Sequence, residues 1–435
     1  MAHKYIQRHL FALYSQGLTS KVTCTLVITM ATALYVYYMC GRMTEEQFRS
    51  MNLPKIQAYI QHKCSPVLDR ATRGAWKLKP HVTTADLDAR RRLDMMLRTR
   101  KGWPQYLSHG DLRCGVHFPL PRPSFGKNKT MVFDIQGQCD PYSEAPCCHG
   151  YKGWCGAGAA YCECQGCVDY RAFIPAELGD WVTLDKCHIT NYTQNSACSL
   201  VNNRFSYITF MGDSLVRHLF SALLLILTRD RTYGALKFSA RFKQKDMCRG
   251  DNQFVDSMCH ALTAMRWTDI SKHPTFCPGR KQSFKMDFVE AYNINHAKIA
   301  LTFAKRMLYR RGSVILIGVG IHNGFNAPLV IEKYFGPILR LLQHSRATTG
   351  WPRLIWLSPH AAGPLKPLTY QRHQGNHAIQ AFNAQMWQYC EEQNVTVFDT
   401  YNLTLGAQSF DGTHYGVGVN LLKAQLLLNY WNESR

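Results

Sequence analysis

The C-terminal half of the chain, residues 201–435, predicts an α/β domain with a mostly parallel sheet, and three observations predict it. Short apolar runs recur there: "FSYITFMG" (205–212), "SVILIGVG" (313–320), "RLIWLSP" (353–359) and "VTVFDTY" (395–401). These runs are nearly continuous rather than alternating with polar residues, which is the pattern of strands covered on both faces. Segments with helical character lie between them and close the chain, as crossover connections require.

The elements follow in chain order. Residues 1–21 hold Lys4, Arg8 and Lys21 and no acidic residue, and residues 22–40, "VTCTLVITMATALYVYYMC", carry no charge. These 19 residues, as a helix, span roughly 28 Å, close to the hydrocarbon thickness of a bilayer. The basic flank keeps the N-terminus cytoplasmic. The alternative is a cleaved signal peptide, but the run is long for one and no small-x-small site follows. The expectation is a cytoplasmic tail (1–21) and a retained single-pass signal-anchor (22–40) in type II orientation, with the rest of the chain lumenal or extracellular. Cysteine usage agrees: of 17 Cys, 15 lie from Cys64 onward, a density suited to disulfides in an oxidising compartment. The odd number leaves one thiol free or bridging to another chain. Asn-x-Ser/Thr acceptors stand at Asn128, Asn191, Asn394, Asn402 and Asn432.

Residues 41–110 are polar and basic and read as a stem, with "DARRRLDMMLRTRKGW" (88–103) as a solvated helix. Residues 111–200 form a Cys-rich segment. Seven cysteines (Cys139, Cys147, Cys148, Cys155, Cys162, Cys164 and Cys167) and five glycines fall within 139–167. Such a stretch has too little apolar content for its own core and is held by disulfides. Zinc is the alternative, through Cys164-x-x-Cys167 and His149. The adjacent Cys147-Cys148 pair favours bridges, and no metal site is assigned. The net charge of +22, from 51 Lys+Arg against 29 Asp+Glu, favours an anionic partner. A lumenal chain without a nucleic-acid module excludes nucleic acid and leaves an acidic glycan or a membrane surface.

The first strand of the α/β domain ends at Gly212-Asp213-Ser214, and "LVRHLFSALLLIL" (215–227) continues as a helix with a broad apolar face. "NHAIQAFNAQMWQYCEE" (376–392) is an amphipathic helix and "VNLLKAQLLLNYW" (419–431) a final one. Ligands of parallel sheets bind at the carboxyl ends of the strands. Ser214 stands at such an end, where a helix N-cap and a nucleophile are both open to it. In "SFDGTHYGVGVN" (409–420), the three-residue spacing lets Asp411 hold the His414 imidazole, with an ordinary Asp-Gly turn as the alternative. "ILIGVGIHNGFN" (315–326) offers Gly320 and the Asn323 amide as oxyanion donors, each such donor being worth about 3–4 kcal/mol in acyl transfer. His322 lies between them.

Together, "GDSLVR", "GVGIHNG" and "DGTHY" resemble the SGNH/GDSL hydrolase superfamily over residues 201–435, and most of all its PC-esterase branch, the trichome-birefringence-like and related glycan O-acetyltransferases and esterases. The resemblance implies a flavodoxin-like three-layer αβα sandwich. It implies Ser214 as nucleophile, His414 as general base, Asp411 as the group orienting it, and the Ser214 N–H, Gly320 and Asn323 as oxyanion donors. Gly212 and Asp213 would shape the turn, and Arg217 would pair with a carboxylate or meet an anionic substrate. Two departures stand out. Both His322 and Asn323 occupy the third block, and the second-block glycine has two candidates, Gly234 and Gly279. The implied activity is serine-dependent acyl transfer on a glycan, foremost a Golgi O-acetyltransferase with an acyl-serine intermediate. It binds no cofactor and takes acetyl from acetyl-CoA or another acetyl carrier. A glycan O-acetyl esterase with the same triad is the alternative, and a non-catalytic carbohydrate-binding membrane protein the alternative of another class. "CCHGYKGWCGAGAAYC" (147–162) is similar to hevein-type chitin-binding segments, which implies sugar stacking on Tyr151, Trp154 and Tyr161. A purely structural disulfide staple is the other reading of that segment.

Overall fold

The apolar runs pair as strands of one sheet. β1 (Tyr207–Gly212), β2 (Lys285–Glu290), β3 (Ser313–Gly318), β4 (Arg353–Leu357) and β5 (Thr396–Phe398) stand in the order β2-β1-β3-β4-β5, every pair parallel. This is the flavodoxin-like doubly wound order, in which the direction of winding switches between β1 and β3 and a crevice opens at their carboxyl ends. The computed structural model describes residues 64–100, 112–115, 117–122, 131–158, 162, 166–279 and 282–434. The expected tail and signal-anchor (1–40), Asn128, Tyr161 and Cys164 lie outside these. Among the described residues no helix is long and apolar enough to cross a membrane.

The period-2 alternation of a strand sends successive side chains to opposite faces, and here both faces are apolar. Ile208, Phe210, Val314, Leu316, Ile355 and Leu357 join one core with α1 (Gln194–Arg204), α2 (Ser214–Thr228) and α6 (Val417–Glu433). Met211, Ile315, Ile317, Leu354 and Trp356 join the other with α3 (Ala297–Lys305), α4 (Gly336–Thr349) and α5 (Asn376–Glu392). All six residues of β3 are buried, as the centre of a doubly covered sheet requires. In α2, 12 of 15 residues are buried, because α1 and α6 pack against it as well as the sheet. β2 was not foreseen. It is an edge strand whose "KMDFVE" mixes exposed and buried positions, so it lacks the continuous apolar signature. β5 is shorter than expected, since Asp399 already leaves the strand to accept from the Tyr401 N–H at 2.9 Å.

Residues 65–435 form one compact unit. Gly74–Leu78 pairs antiparallel with Gly179–Thr183. The indole N–H of Trp76 donates to Leu403 O at 2.7 Å, and that of Trp181 to Arg70 O at 3.0 Å. The basic helix, Thr84–Arg100, is not wholly solvated: Arg90, its side chain 14% exposed, packs against Asp94, Glu177 and Asp251. Two of these partners are distant in sequence, so the burial left no local trace. α1 starts before residue 201 and is tied to the domain by Cys198–Cys277.

Disulfides also join Cys114–Cys148, Cys139–Cys155, Cys147–Cys162 and Cys248–Cys259, and Cys167 and Cys187 are disulfide-bonded too. The described cysteines of the Cys-rich segment are therefore engaged with sulfur. Around them Cys147–His149, Trp154–Gly156 and Cys167–Asp169 form a small antiparallel sheet. The one free thiol among the described residues is Cys390, buried on α5. Asn191, Asn394, Asn402 and Asn432 are exposed, and the Asn402 amide donates to Thr72 O at 2.9 Å.

Candidate active site

The site begins where β1 and β3 end side by side, Gly212 opposite Gly318. Gly212 has φ +152°, and a Cβ there would lie 2.0 Å from Gly318 O. Only glycine lets the two strand ends approach so closely. Asp213 then serves as the N-cap of α2, its Oδ1 accepting from the Leu215 N–H at 2.9 Å. The sequence left Ser214 open to a capping role. The structure gives that role to Asp213 and makes Ser214 the first helical residue, with its hydroxyl turned elsewhere. Ser214 Oγ lies 2.9 Å from His414 Nε2. His414 Nδ1–H donates to Asp411 Oδ2 at 2.8 Å, which leaves Nε2 as the acceptor for the serine proton. Asp411 is itself fixed, since Oδ1 accepts from the N–H groups of Thr413 (2.9 Å) and His414 (2.6 Å). Serine, imidazole and carboxylate in this chain form the arrangement that activates a hydroxyl as a nucleophile.

The Asp411–His414 turn runs straight into α6, whose first N–H groups have no intrahelical acceptor. Gly416 provides no side-chain cap. Two distant carboxylates do so instead: Asp251 accepts from Val417 N and Glu177 from Gly418 N, each at 2.7 Å. A Cβ on Gly416 would sit 2.6 Å from Glu177 Oε1 and 2.7 Å from Asp251 Oδ1, so glycine here makes room for both. Arg90 holds the pair from behind, 2.7 Å from Asp251 and 3.4 Å from Glu177. Burial still raises the Glu177 carboxyl above its ordinary range, with Arg90 opposing.

On the β3 side, Ile321–Asn323 form a single 3-10 turn after Gly320. Asn323 Oδ1 accepts from the Ile294 N–H at 3.1 Å. That bond fixes the amide plane and leaves Nδ2 buried without a protein partner, a donor held ready. His322 stacks edge-on against Tyr292, ring centroids 4.9 Å apart. Its imidazole is held below the ordinary value by burial, then by the charges of His414 and Lys366. Gly234 and Gly279, considered for the second block, both lie between α2 and β2 and at no strand end.

Burial pushes the Asp213 carboxyl up to about 7, against the Leu215 N–H that favours its charged form. Arg217, one turn past Ser214, is brought down to about 10 by burial, with Glu290 and Asp213 opposing. It forms no ion pair among the described residues, and Glu290 pairs with His260 at 3.2 Å. His218, packed against His414, escaped the sequence reading. His218 is fully buried, its ring centroid 5.0 Å from that of His414, with neither nitrogen bonded, and burial drives its imidazole well below the ordinary value. Its four-residue spacing from Ser214 on a helix was the available signal. Outside this crevice, Tyr151 is 90% exposed and Trp154 51%.

No protein-family model and no curated protein matches the chain. Among solved structures, it is similar to an acetylxylan esterase from Geobacillus stearothermophilus, with TM-score 0.29 and 13% identity over 52% of this chain and 94% of that one. It is also similar to a lipase/acylhydrolase from Enterococcus faecalis, with TM-score 0.26 and 17% identity over 52% and 94%. A lipolytic protein of the G-D-S-L family from Veillonella parvula gives TM-score 0.24 and 12% identity over 50% and 95%.

Proposed function

We propose that the chain is a serine-dependent acyl-transfer enzyme acting on glycans, foremost an O-acetyltransferase. The observation that carries this reading is the hydrogen-bonded chain Ser214–His414–Asp411 at the switch point of the sheet. The Ser214 proton passes to His414 Nε2 as Oγ bonds to the acyl carbonyl carbon. Asp411 stabilises the imidazolium, and the Ser214 N–H and Asn323 Nδ2, with the Gly320 turn, receive the oxyanion. Collapse breaks the bond to the donor's leaving group, which takes the proton from His414, and leaves acetyl-Ser214. In the second half a sugar hydroxyl gives its proton to His414 and bonds to the acetyl carbonyl carbon; the bond to Ser214 Oγ then breaks, and Oγ regains its proton from His414. With water as acceptor the same steps make an esterase. The acetyl donor is acetyl-CoA or another acetyl carrier, and no bound cofactor enters. The net charge of +22 supports an acidic glycan as acceptor. The uncharged run 22–40 supports anchorage as a type II protein of the Golgi membrane, and the exposed rings of Tyr151 and Trp154 support a sugar contact apart from the crevice.

The test is acetyl release and transfer by the purified full-length chain, wild type and Ser214→Ala, with an activated aryl acetate and with bare and acetylated acidic glycans. The wild type releases acetyl and Ser214→Ala does not. Transfer to a bare glycan that outruns release to water identifies the transferase. Acetyl release by Ser214→Ala at the wild-type rate would sink the proposal, as would a wild type that neither releases nor transfers.

A further inference from the structure

We propose that His360 is a positioning residue for the base-bearing turn, locked in one tautomer by Lys423; the proposal rests on His414 being the base. The loop after β4, "SPHAAGPLK" (358–366), lies along the Asp411–His414 turn and holds it at three points. The Gly363 N–H donates to Gly412 O at 3.0 Å. Lys366 Nζ donates to Thr413 Oγ1 at 2.8 Å, and His360 Nε2 lies 2.7 Å from Thr413 O. Thr413 stands between Asp411 and His414, and its carbonyl and hydroxyl are both gripped from this one loop.

The tautomer follows from the partners. A carbonyl oxygen only accepts, so the proton of His360 sits on Nε2 and Nδ1 carries the lone pair. An ammonium only donates, and Lys423 Nζ lies 2.6 Å from that Nδ1. Each side of the ring therefore fixes the other, as the second nitrogen of a histidine does wherever its partner is fixed. Both residues are 4% exposed. Lys423 lies on α6, the helix that follows His414; burial brings its ammonium down to about 7, and Asp399, 6% exposed at the end of β5, opposes that shift. A buried lysine facing a buried imidazole is costly beside an apolar pair of the same size. In return it joins the end of β5, α6 and the loop after β4 to Thr413, the residue that directly precedes the base. A shift of about 1 Å there is enough to degrade a reacting geometry.

The experiment uses the full-length chain with His360→Phe, His360→Gln and His360→Asn. It reads kcat and KM for the aryl acetate, the rate at which a serine-reactive phosphonate labels Ser214, and the thermal midpoint. His360→Phe is expected to slow kcat and labelling about 10–100-fold, the usual loss when an orienting partner is removed, with KM within twofold. The Gln amide reaches Thr413 O and restores labelling, and the shorter Asn does not. Labelling of His360→Phe at the wild-type rate overturns the proposal, as does equal labelling of Gln and Asn. If His360→Phe does not fold, the Gln and Asn comparison decides. A wild type that is labelled at Ser214 but turns over no acetyl ester refutes the acyl-transfer reading and leaves the positioning role standing.

Discussion

Replacing Arg90 by Met tests whether the helix Thr84–Arg100 belongs to the working domain. Arg90 lies 3.0 Å from Asp94, 3.4 Å from Glu177 and 2.7 Å from Asp251, with its side chain 14% exposed. Removing one partner of a buried ion pair costs about 3–5 kcal/mol, because the remaining charge is left uncompensated. Glu177 and Asp251 keep their bonds from the first turn of α6, which holds the loss within that range. The sign with pH follows from linkage. Burial already raises the Glu177 carboxyl with Arg90 opposing; without Arg90 it rises further above its unfolded value, so the folded variant binds a proton that the unfolded chain does not. Its deficit against wild type therefore grows as pH rises through the carboxyl range and shrinks as pH falls. Urea unfolding with disulfides intact, at pH 5 and pH 8, measures it. The expected result is about 3–5 kcal/mol at pH 8 and clearly less at pH 5, with kcat for the aryl acetate lowered as the start of α6 loosens. A deficit under about 1 kcal/mol at pH 8, as for a surface pair, would refute the reasoning, as would one that does not change with pH.

Three further outcomes are expected. Asn323→Ala removes the unpartnered Nδ2 and should lower kcat by about 10²–10³ with little change in KM, read by steady-state kinetics; an unchanged kcat would exclude Asn323 as an oxyanion donor. Asp213→Asn keeps the oxygen that caps α2 and removes a carboxyl that burial raises to about 7. A buried acid whose folded pKa exceeds its unfolded one loses stability as pH rises between the two. The thermal midpoint of the variant should thus gain on wild type between pH 4 and pH 8, and a constant difference would contradict it. Tyr151→Ala with Trp154→Ala, at the exposed rings of the Cys-rich sheet, should weaken glycan binding by calorimetry and leave aryl acetate release unchanged; equal binding would assign that sheet a structural role.

Some of the fold and site could be read from residue order because the physics there is local. β1, β3 and β4 are buried on both faces, so their apolar runs announce them wherever they pair. Asp411 and His414 are bonded within one turn, and a three-residue spacing records that bond. Gly212-Asp213-Ser214 marks a strand end followed by a helix. What the order of residues could not decide was which residue caps that helix. Asp213 and Ser214 are both good caps, and only the backbone geometry assigned the bond to Asp213 and released the Ser214 hydroxyl. The edge strand β2, half exposed, had no continuous signature to read. Arg90, Glu177 and Asp251 are scattered over 161 residues, and His360 and Lys423 over 63. Nothing in their neighbours reveals a shared purpose, because each gains its partner only when distant elements fold together. The sequence alone determined the class of the sheet and the residue types that meet at its carboxyl end, since strand burial and turn chemistry are written within a few residues. The tertiary structure alone decided which hydroxyl is free, which lone pair faces it and what holds the base turn in place, since those depend on atoms that only folding brings within hydrogen-bond reach.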